Sequence, residues 1–443
     1  MRQTKIKVIL APLNKFIEQD YSAGLTLLVA TIIALIWANS PWKESYHHLW
    51  ETELGITVAE FSIIKSLHIW VNDGLMSVFF FMVGLELKRE FMAGELSSLK
   101  KATLPAFAAI GGMIVPATIY TLINLKSGAP QGWGIPMATD IAFSLGVLAA
   151  LGKSIPIPLK VFLIAFATVD DLGAVVVIAL FYTSEFSLEN FLLGVGFASM
   201  LLAGNLLDIR TPYFYAVIGG IGVWTAFLLS GIHATIAGVI SAFMIPANTL
   251  VDEKEYSEKV KKLSEEFEKE IPLKASLVTH RQNTIIEKIK MLSEDAQTPL
   301  QKLEYSLSPI VLYFIMPVFA LSNAGVEINS TFFNELFSPV GMGIFFGLLV
   351  GKFIGIVSFA KLTIKMKWAE LPAKTSWKHI YGVALLGGIG FTMSLFISEL
   401  AFKGSHYNQT AKIGIFVASL VSGGLGYFVL KSLIKKSEKQ ITQ

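Results

Sequence analysis

Residues 159–182 read LKVFLIAFATVDDLGAVVVIALFY, an apolar run broken near its middle by Asp170 and Asp171. The hydrocarbon core of a bilayer is about 30 Å thick, so a helix needs about 20 mainly apolar residues to cross it. This stretch is long enough. The aspartate pair is its one anomaly, because each charge at the centre of a spanning helix costs roughly 2.5 to 3.5 kcal/mol on insertion scales.

Working outward with windows of about 19 residues, spans are expected near 21–38, 66–87, 103–125, 134–151, 159–182, 187–207, 212–229, 231–247, 304–326, 340–360, 379–401 and 409–431. The fold class is an all-α polytopic membrane protein of about 12 transmembrane helices. The 443-residue chain is 53% hydrophobic and only 16% charged, which excludes a soluble enzyme. A formal charge of +3 gives no reason to expect nucleic acid, and the absence of cysteine removes disulfides, thiolate zinc sites and thiol catalysis.

Loop charge alternates along the chain. Lys5, Lys7 and Lys15 precede the first span, Glu44, Glu51, Glu53 and Glu60 follow it, and Lys88, Arg89, Lys100 and Lys101 follow the second. Lys153, Lys160, Arg210, Lys361, Lys365, Lys367, Lys374, Lys431, Lys435 and Lys436 continue the basic side. By the positive-inside rule that side is cytoplasmic, both termini included. The basic start Met1 to Lys7 runs into a full span without a small-residue cleavage site, so it reads as a retained cytoplasmic end.

Residues 249–303 carry more than twenty charges of mixed sign and no spanning run. They form a cytoplasmic insertion between spans 1–8 (1–248) and spans 9–12 (304–443), which together make one membrane domain. Tyr256, Val260, Leu263, Phe267 and Ile271 recur at helical spacing, and Leu277, Ile285, Ile289 and Leu292 do so after Pro272, so a helical hairpin is expected. A solvated linker packed loosely on the cytoplasmic face is the favoured reading, and a regulatory or partner-binding element is the alternative.

Four charges do not belong in lipid: Asp140 in the fourth span, Asp170 and Asp171 in the fifth, and Lys352 in the tenth. Unpaired they would cost roughly 10 kcal/mol together, so they should converge on a hydrated interior cavity. Adjacent helix positions face about 100° apart, so Asp170 and Asp171 need different partners. One can pair with Lys352, while the other offers oxygen to a hard cation such as sodium; the hydroxyls of Thr139 and Thr168 are candidate supplementary ligands. Desolvation moves buried carboxylates and lysines towards neutrality, so protons and sodium can compete. A structural polar contact between helices is the plainer reading, but Ser or Asn would suffice for it.

The fourth span is interrupted by Gly134, Pro136 and Thr139-Asp140, and the eleventh by Gly387, Gly388 and Gly390. Both are poor continuous helices. Matching spans three to five with ten to twelve puts the two breaks in corresponding members, and the odd offset inverts one trio, which points to an inverted-repeat secondary transporter. Facing half-helix ends leave partial charges for which Asp140 and Lys352 are suitable compensators.

At these residues the chain resembles a known family. Thr139-Asp140-Ile141-Ala142-Phe143, Val169-Asp170-Asp171-Leu172-Gly173-Ala174, Gly231-Ile232-His233-Ala234-Thr235-Ile236-Ala237-Gly238 and Gly388-Ile389-Gly390-Phe391-Thr392-Met393-Ser394 are similar to motifs of the NhaA-type bacterial sodium/proton antiporters. The resemblance covers nearly the whole chain. It implies crossed, discontinuous helices 4 and 11, cation and proton binding centred on Asp171 with Asp170, a charge partner at Lys352 and Asp140 at the crossing. Glu86, Arg89, Glu90 and Glu304 match positions the family associates with pH response; ordinary interfacial charge explains them equally well. His233 reads as a structural histidine in preference to a proton carrier. The segment 42–60, with Trp42, Tyr46 and Trp50, sits where the family forms a dimerisation hairpin, implying a homodimer; an interfacial aromatic belt is an equal alternative. The insertion is longer than the family's usual link, and Tyr305 and Ser308 stand where histidines would be expected.

The expected function is sodium (or lithium)/proton antiport by alternating access, electrogenic and pH-regulated, in a bacterial cytoplasmic membrane. Sodium and protons are the substrates, lipid is the surrounding partner, and neither a cofactor nor enzymatic activity is expected. A cation channel or a sodium-coupled symporter of the same architecture is the alternative. An intramembrane aspartyl protease is disfavoured, since its dyad shares a proton across a short gap between two helices and its Gly-x-Gly-Asp is missing.

Overall fold

The computed structural model describes residues 21–58, 61–183, 186–270 and 277–441. Met1 to Lys7, Lys15, Glu60, Ile271 and Pro272 lie outside the described residues.

The chain is a succession of helices: α1 Ser22–Ala38 and α2 Lys43–Glu51, then a hairpin of β1 Glu53–Val58 and β2 Phe61–Ser66. The strands pair antiparallel in a register that sets Glu53 opposite Ser66. There follow α3 Leu67–Ala93, α4 Leu99–Ile123, a 3-10 segment Pro130–Met137, α5 Ile141–Ala150 and α6 Ile157–Phe181. Next come α7 Leu188–Leu206, α8 Pro212–Ser230, α9 Ala234–Phe243, α10 Glu253–Lys269 and α11 His280–Ala296. The chain ends with α12 Pro299–Asn323, α13 Phe332–Leu336, α14 Pro339–Lys365, α15 Trp377–Leu386, α16 Phe391–Ala401 and α17 Tyr407–Ile441.

Among the described residues nine helical segments are long and apolar enough to cross a membrane, and two bent pairs raise the number to eleven. The first pair, α1 and α2, turns through 113°, so α2 leaves the path of α1; the second, α15 and α16, bends by 44°. The expected eighth span at 231–247 is only the ten-residue α9, short of bilayer thickness by itself. Leu192, Leu193 and Leu206 on α7 and Phe428 on α17 stay exposed, as side chains facing acyl chains do.

The ninth span starts at Pro299, earlier than the expected 304, because Thr298 and Gln301 form a capping box and Pro occupies the first turn. Within the insertion, α10 and α11 make the expected hairpin: Asp252 accepts from Glu255 N–H, Thr279 caps α11, and Tyr256 and Ser293 share a 3.0 Å hydrogen bond. Leu277 does not join the apolar face and is exposed, since it precedes the cap of α11. Of the three aromatics after α1 only Trp42 is exposed. Tyr46 and Trp50 are buried, and Tyr46 donates its hydroxyl to the carbonyls of Leu321 and Ser322 at 2.9 and 3.1 Å. An aromatic belt therefore fails for these two: they are inside the protein.

Helices α4 and α14 pack at glycine distance. A Cβ on Gly355 would run into the Gly111 carbonyl, and one on Gly351 would stand 2.8 Å from Pro116 Cα. Lys352 lies between these two glycines, directly after a π-helical turn at Gly347–Gly351. Single π turns of this kind concentrate at functional sites.

Candidate functional site

Both expected breaks are present and they cross. After the 3-10 segment, Ala138 to Asp140 are extended and Asp140 caps α5; opposite them, Gly387 to Gly390 separate α15 from α16. Non-helical backbone at membrane depth must find partners inside the protein, and here each break supplies them to the other. Asp140 N–H donates to Ile389 C=O at 2.7 Å, and the hydroxyls of Thr139 and Ser144 donate to the carbonyls of Gly387 and Leu386, each at 2.9 Å. Ser394 returns a hydroxyl bond of 2.8 Å to Ile135 C=O.

Asp140 serves two helices at once. Its Oδ1 accepts from Phe143 N–H at 3.0 Å in α5, while Oδ2 accepts from Thr392 N–H at 3.0 Å and Thr392 Oγ1 at 2.5 Å in α16. One carboxylate thus meets the partial positive charge of two N-termini, which is the compensating role the sequence suggests for it. Gly387 and Gly390 keep right-handed backbone angles open to any residue, so conformation does not explain them. Close approach does: a Cβ on Gly387 would lie 2.8 Å from Ile356 Cδ1, and one on Gly388 2.5 Å from Leu348 C=O.

The central charge pair links α6 to α14. Lys352 Nζ stands 2.5 Å from Asp170 Oδ2, and both side chains are wholly buried. Lys352 therefore answers a carboxylate, and the proposed compensation of helix C-termini by this lysine is not what the geometry gives. Asp171 points differently, as the helical angle requires. Its Oδ1 and that of Asp170 are buried without a hydrogen-bond partner, a state that is expensive unless something positive occupies it. Thr139 lies against Asp170, and Asp171 lies within electrostatic reach of Asp170, Asp140, Glu86 and Lys352. Thr168 donates its hydroxyl to Ile164 C=O within its own helix at 2.7 Å. Having donated their hydrogens, the Thr139 and Thr168 oxygens have only lone pairs to offer a cation. Among the described residues no group of three or more His, Asp or Glu is arranged to chelate a metal. Two carboxylates with hydroxyl and carbonyl oxygens suit a hard monovalent ion that must also leave.

Glu86, Arg89, Glu90 and Glu304 are gathered where α3 meets α12. Arg89 binds Glu90 at 3.1 Å and Glu304 at 3.4 Å, and Glu86 lies within electrostatic reach of all three. His233 is engaged elsewhere: its Nε2 donates to Tyr182 C=O at 2.7 Å.

The sequence profile of the Na+/H+ antiporter 1 family matches residues 14–430. The chain belongs to that family. A protein named Na(+)/H(+) antiporter NhaA from Oleidesulfovibrio alaskensis is 44% identical over 98% of this chain and 97% of its own length. The protein of the same name from Koribacter versatilis is 45% identical over 99% of this chain and 95% of its own. Na(+)/H(+) antiporter NhaA 1 of Saccharophagus degradans is 46% identical over 97% and 93%.

In this antiporter-family chain Asp73, in the expected span 66–87, and Glu399, in 379–401, are further acids inside apolar runs. Glu399 binds Lys412 at 2.7 Å and accepts from Asn408 Nδ2 at 2.8 Å. An acid inside an apolar run was signal enough to find both. Lys88 was read only as loop charge, yet it donates to the carbonyls of Phe243 and Ile245 at 2.7 and 2.5 Å, closing the C-terminus of α9; nothing local in the sequence foretells that tertiary bond.

Proposed function

We infer that this multi-pass membrane protein exchanges sodium, or lithium, for protons by alternating access, with Asp171 and Asp170 as the shared site. The observation that carries the reading is the unpartnered Asp171 oxygen beside the Lys352–Asp170 pair, all wholly buried where two broken helices cross. A buried carboxylate left without a donor takes a proton or a cation, and occupancy by one excludes the other. Lys352 neutralises Asp170 when the cation is absent and yields it when the cation arrives; Thr139 and Thr168 supply further oxygens; Asp140 holds the crossing.

Exchange of more than one proton per sodium moves net charge inward, and each such charge gains about 2.3 kcal/mol per 100 mV, enough for roughly a fifty-fold sodium gradient. The membrane is the cytoplasmic membrane of a bacterium with both termini inside, a reading supported by Lys100 and Lys101 in the first turn of α4, by Lys361 and Lys365 near the end of α14 and by Lys367 and Lys374 between α14 and α15. The β1–β2 hairpin, two strands with free edges, is the surface for a homodimer. Glu86, Arg89, Glu90 and Glu304 act as a pH-responsive cluster. Neither the geometry nor the relatives favour a channel or a symporter.

The test is sodium-driven pH change in sealed proteoliposomes, native chain against Asp171→Asn. The native protein should move protons against added sodium and the variant should not. Equal exchange by the variant removes the site; sodium flux without proton movement removes antiport.

A further inference from the structure

Outside the exchange site, on the face opposite the basic loops, polar side chains from four helices converge. Asn323 of α12, fully buried, donates through Nδ2 to Asn72 Oδ1 at 2.9 Å. Its Oδ1 can only accept, so His68 Nε2 donates to it at 3.2 Å, leaving Nδ1 to accept from Asn72 Nδ2 at 3.3 Å. Two asparagines thereby fix the ring of His68. Across from it, Lys412 and Asn408 of α17 fix the carboxylate of Glu399 in α16, and the two fixed groups meet with 3.8 Å between His68 Nε2 and Glu399 Oε1.

The location of that meeting gives it meaning. Helices α16 and α17 belong to the second repeat trio, whereas α3 and α12 lie outside both trios. The contact between His68 and Glu399 therefore joins the repeat core to the rest of the molecule. On the opposite face, Arg89 and Glu304 join α3 to α12 and leave the core untouched. The His68–Glu399 contact and the 2.7 Å bond from His233 to the Tyr182 carbonyl both join the two bodies on the external side.

We propose that the His68–Glu399 contact, aimed by Asn72 and Asn323 on one side and by Lys412 and Asn408 on the other, is the latch that closes the external route. The proposal rests on the alternating-access reading above. Packed interfaces switch between discrete arrangements, and in the described arrangement the latch is shut; the site opens outward when it parts. These are positioning residues, since none touches the ion site.

The chain lacks cysteine, so Ser322→Cys gives a single reporter beside Asn323, at a buried position whose hydroxyl has no hydrogen-bond partner. Its reaction with a membrane-impermeant maleimide is measured from each side of oriented vesicles, alone and combined with Glu399→Gln or His68→Gln. Both near-isosteric changes should raise external labelling by about two- to fivefold, because at 3.8 Å the contact is too long for a hydrogen bond and acts only electrostatically, with internal labelling unchanged. Unchanged external labelling in both variants overturns the latch, and so does an equal rise from both sides, which is general loosening. Sodium-driven proton movement in the same vesicles is read separately: its absence in the native chain defeats antiport, while the labelling ratio still judges the latch.

Discussion

Asp170 and Asp171 are neighbours in sequence that take different partners: Asp170 holds the Lys352 ammonium at 2.5 Å, while Asp171 has a buried oxygen without a hydrogen-bond partner. In the proposed exchanger one of these identical side chains serves structure and the other exchange.

Removing one member of a buried ion pair leaves the other uncompensated. Lys352→Met should lower stability by about 3 to 5 kcal/mol, and Asp170→Asn added to it should recover more than half. Thermal unfolding in detergent measures both; a double variant no more stable than the single one contradicts the pairing.

Sodium affinity should rise with pH. Below the apparent titration range of the shared carboxylates a proton occupies the site, so each unit of falling pH raises the apparent sodium KM by up to about tenfold per competing proton, and above that range KM becomes flat. The check is KM for sodium measured at unit steps of pH; a constant KM rules out competition.

Asp140 caps two half-helices, and a lost cap costs about 0.5 to 2 kcal/mol. Asp140→Ala should therefore destabilise by roughly 1 to 4 kcal/mol, while Asp140→Asn, which keeps one acceptor, should lose less than half as much. Melting temperatures of the two variants against the native chain decide this.

Gly355→Ala should be damaging and Gly196→Ala harmless. At Gly355 the new methyl meets the Gly111 carbonyl, whereas at Gly196 it meets nothing within 4 Å. Overpacking costs about 1 to 3 kcal/mol, and because Lys352 is one turn away exchange should fall with stability in the first variant only. Initial exchange rates and melting curves for the two serve as the comparison.

The spans were legible because a bilayer imposes one length on every crossing helix, and the breaks because Pro136 and the glycines around 388 are poor helix residues wherever they stand. Asp140, Asp170, Asp171 and Lys352 were legible for a related reason, that a charge in hydrocarbon needs a purpose. Other features were not. Pairing of Lys352 with Asp170 in particular, the double cap at Asp140 and the burial of Tyr46 all join residues far apart in sequence. Asp73 and Glu399 could have been noticed as acids in apolar runs, but their neighbours could not.

Taken alone, the order of residues determined that this chain lies in a membrane, where it crosses, where its helices fail and which charges must find company. Only the tertiary structure decided who keeps company with whom. Hydropathy and helix propensity are local and survive in one dimension, whereas a hydrogen bond or an ion pair exists only once folding has brought two distant atoms to within about 3 Å.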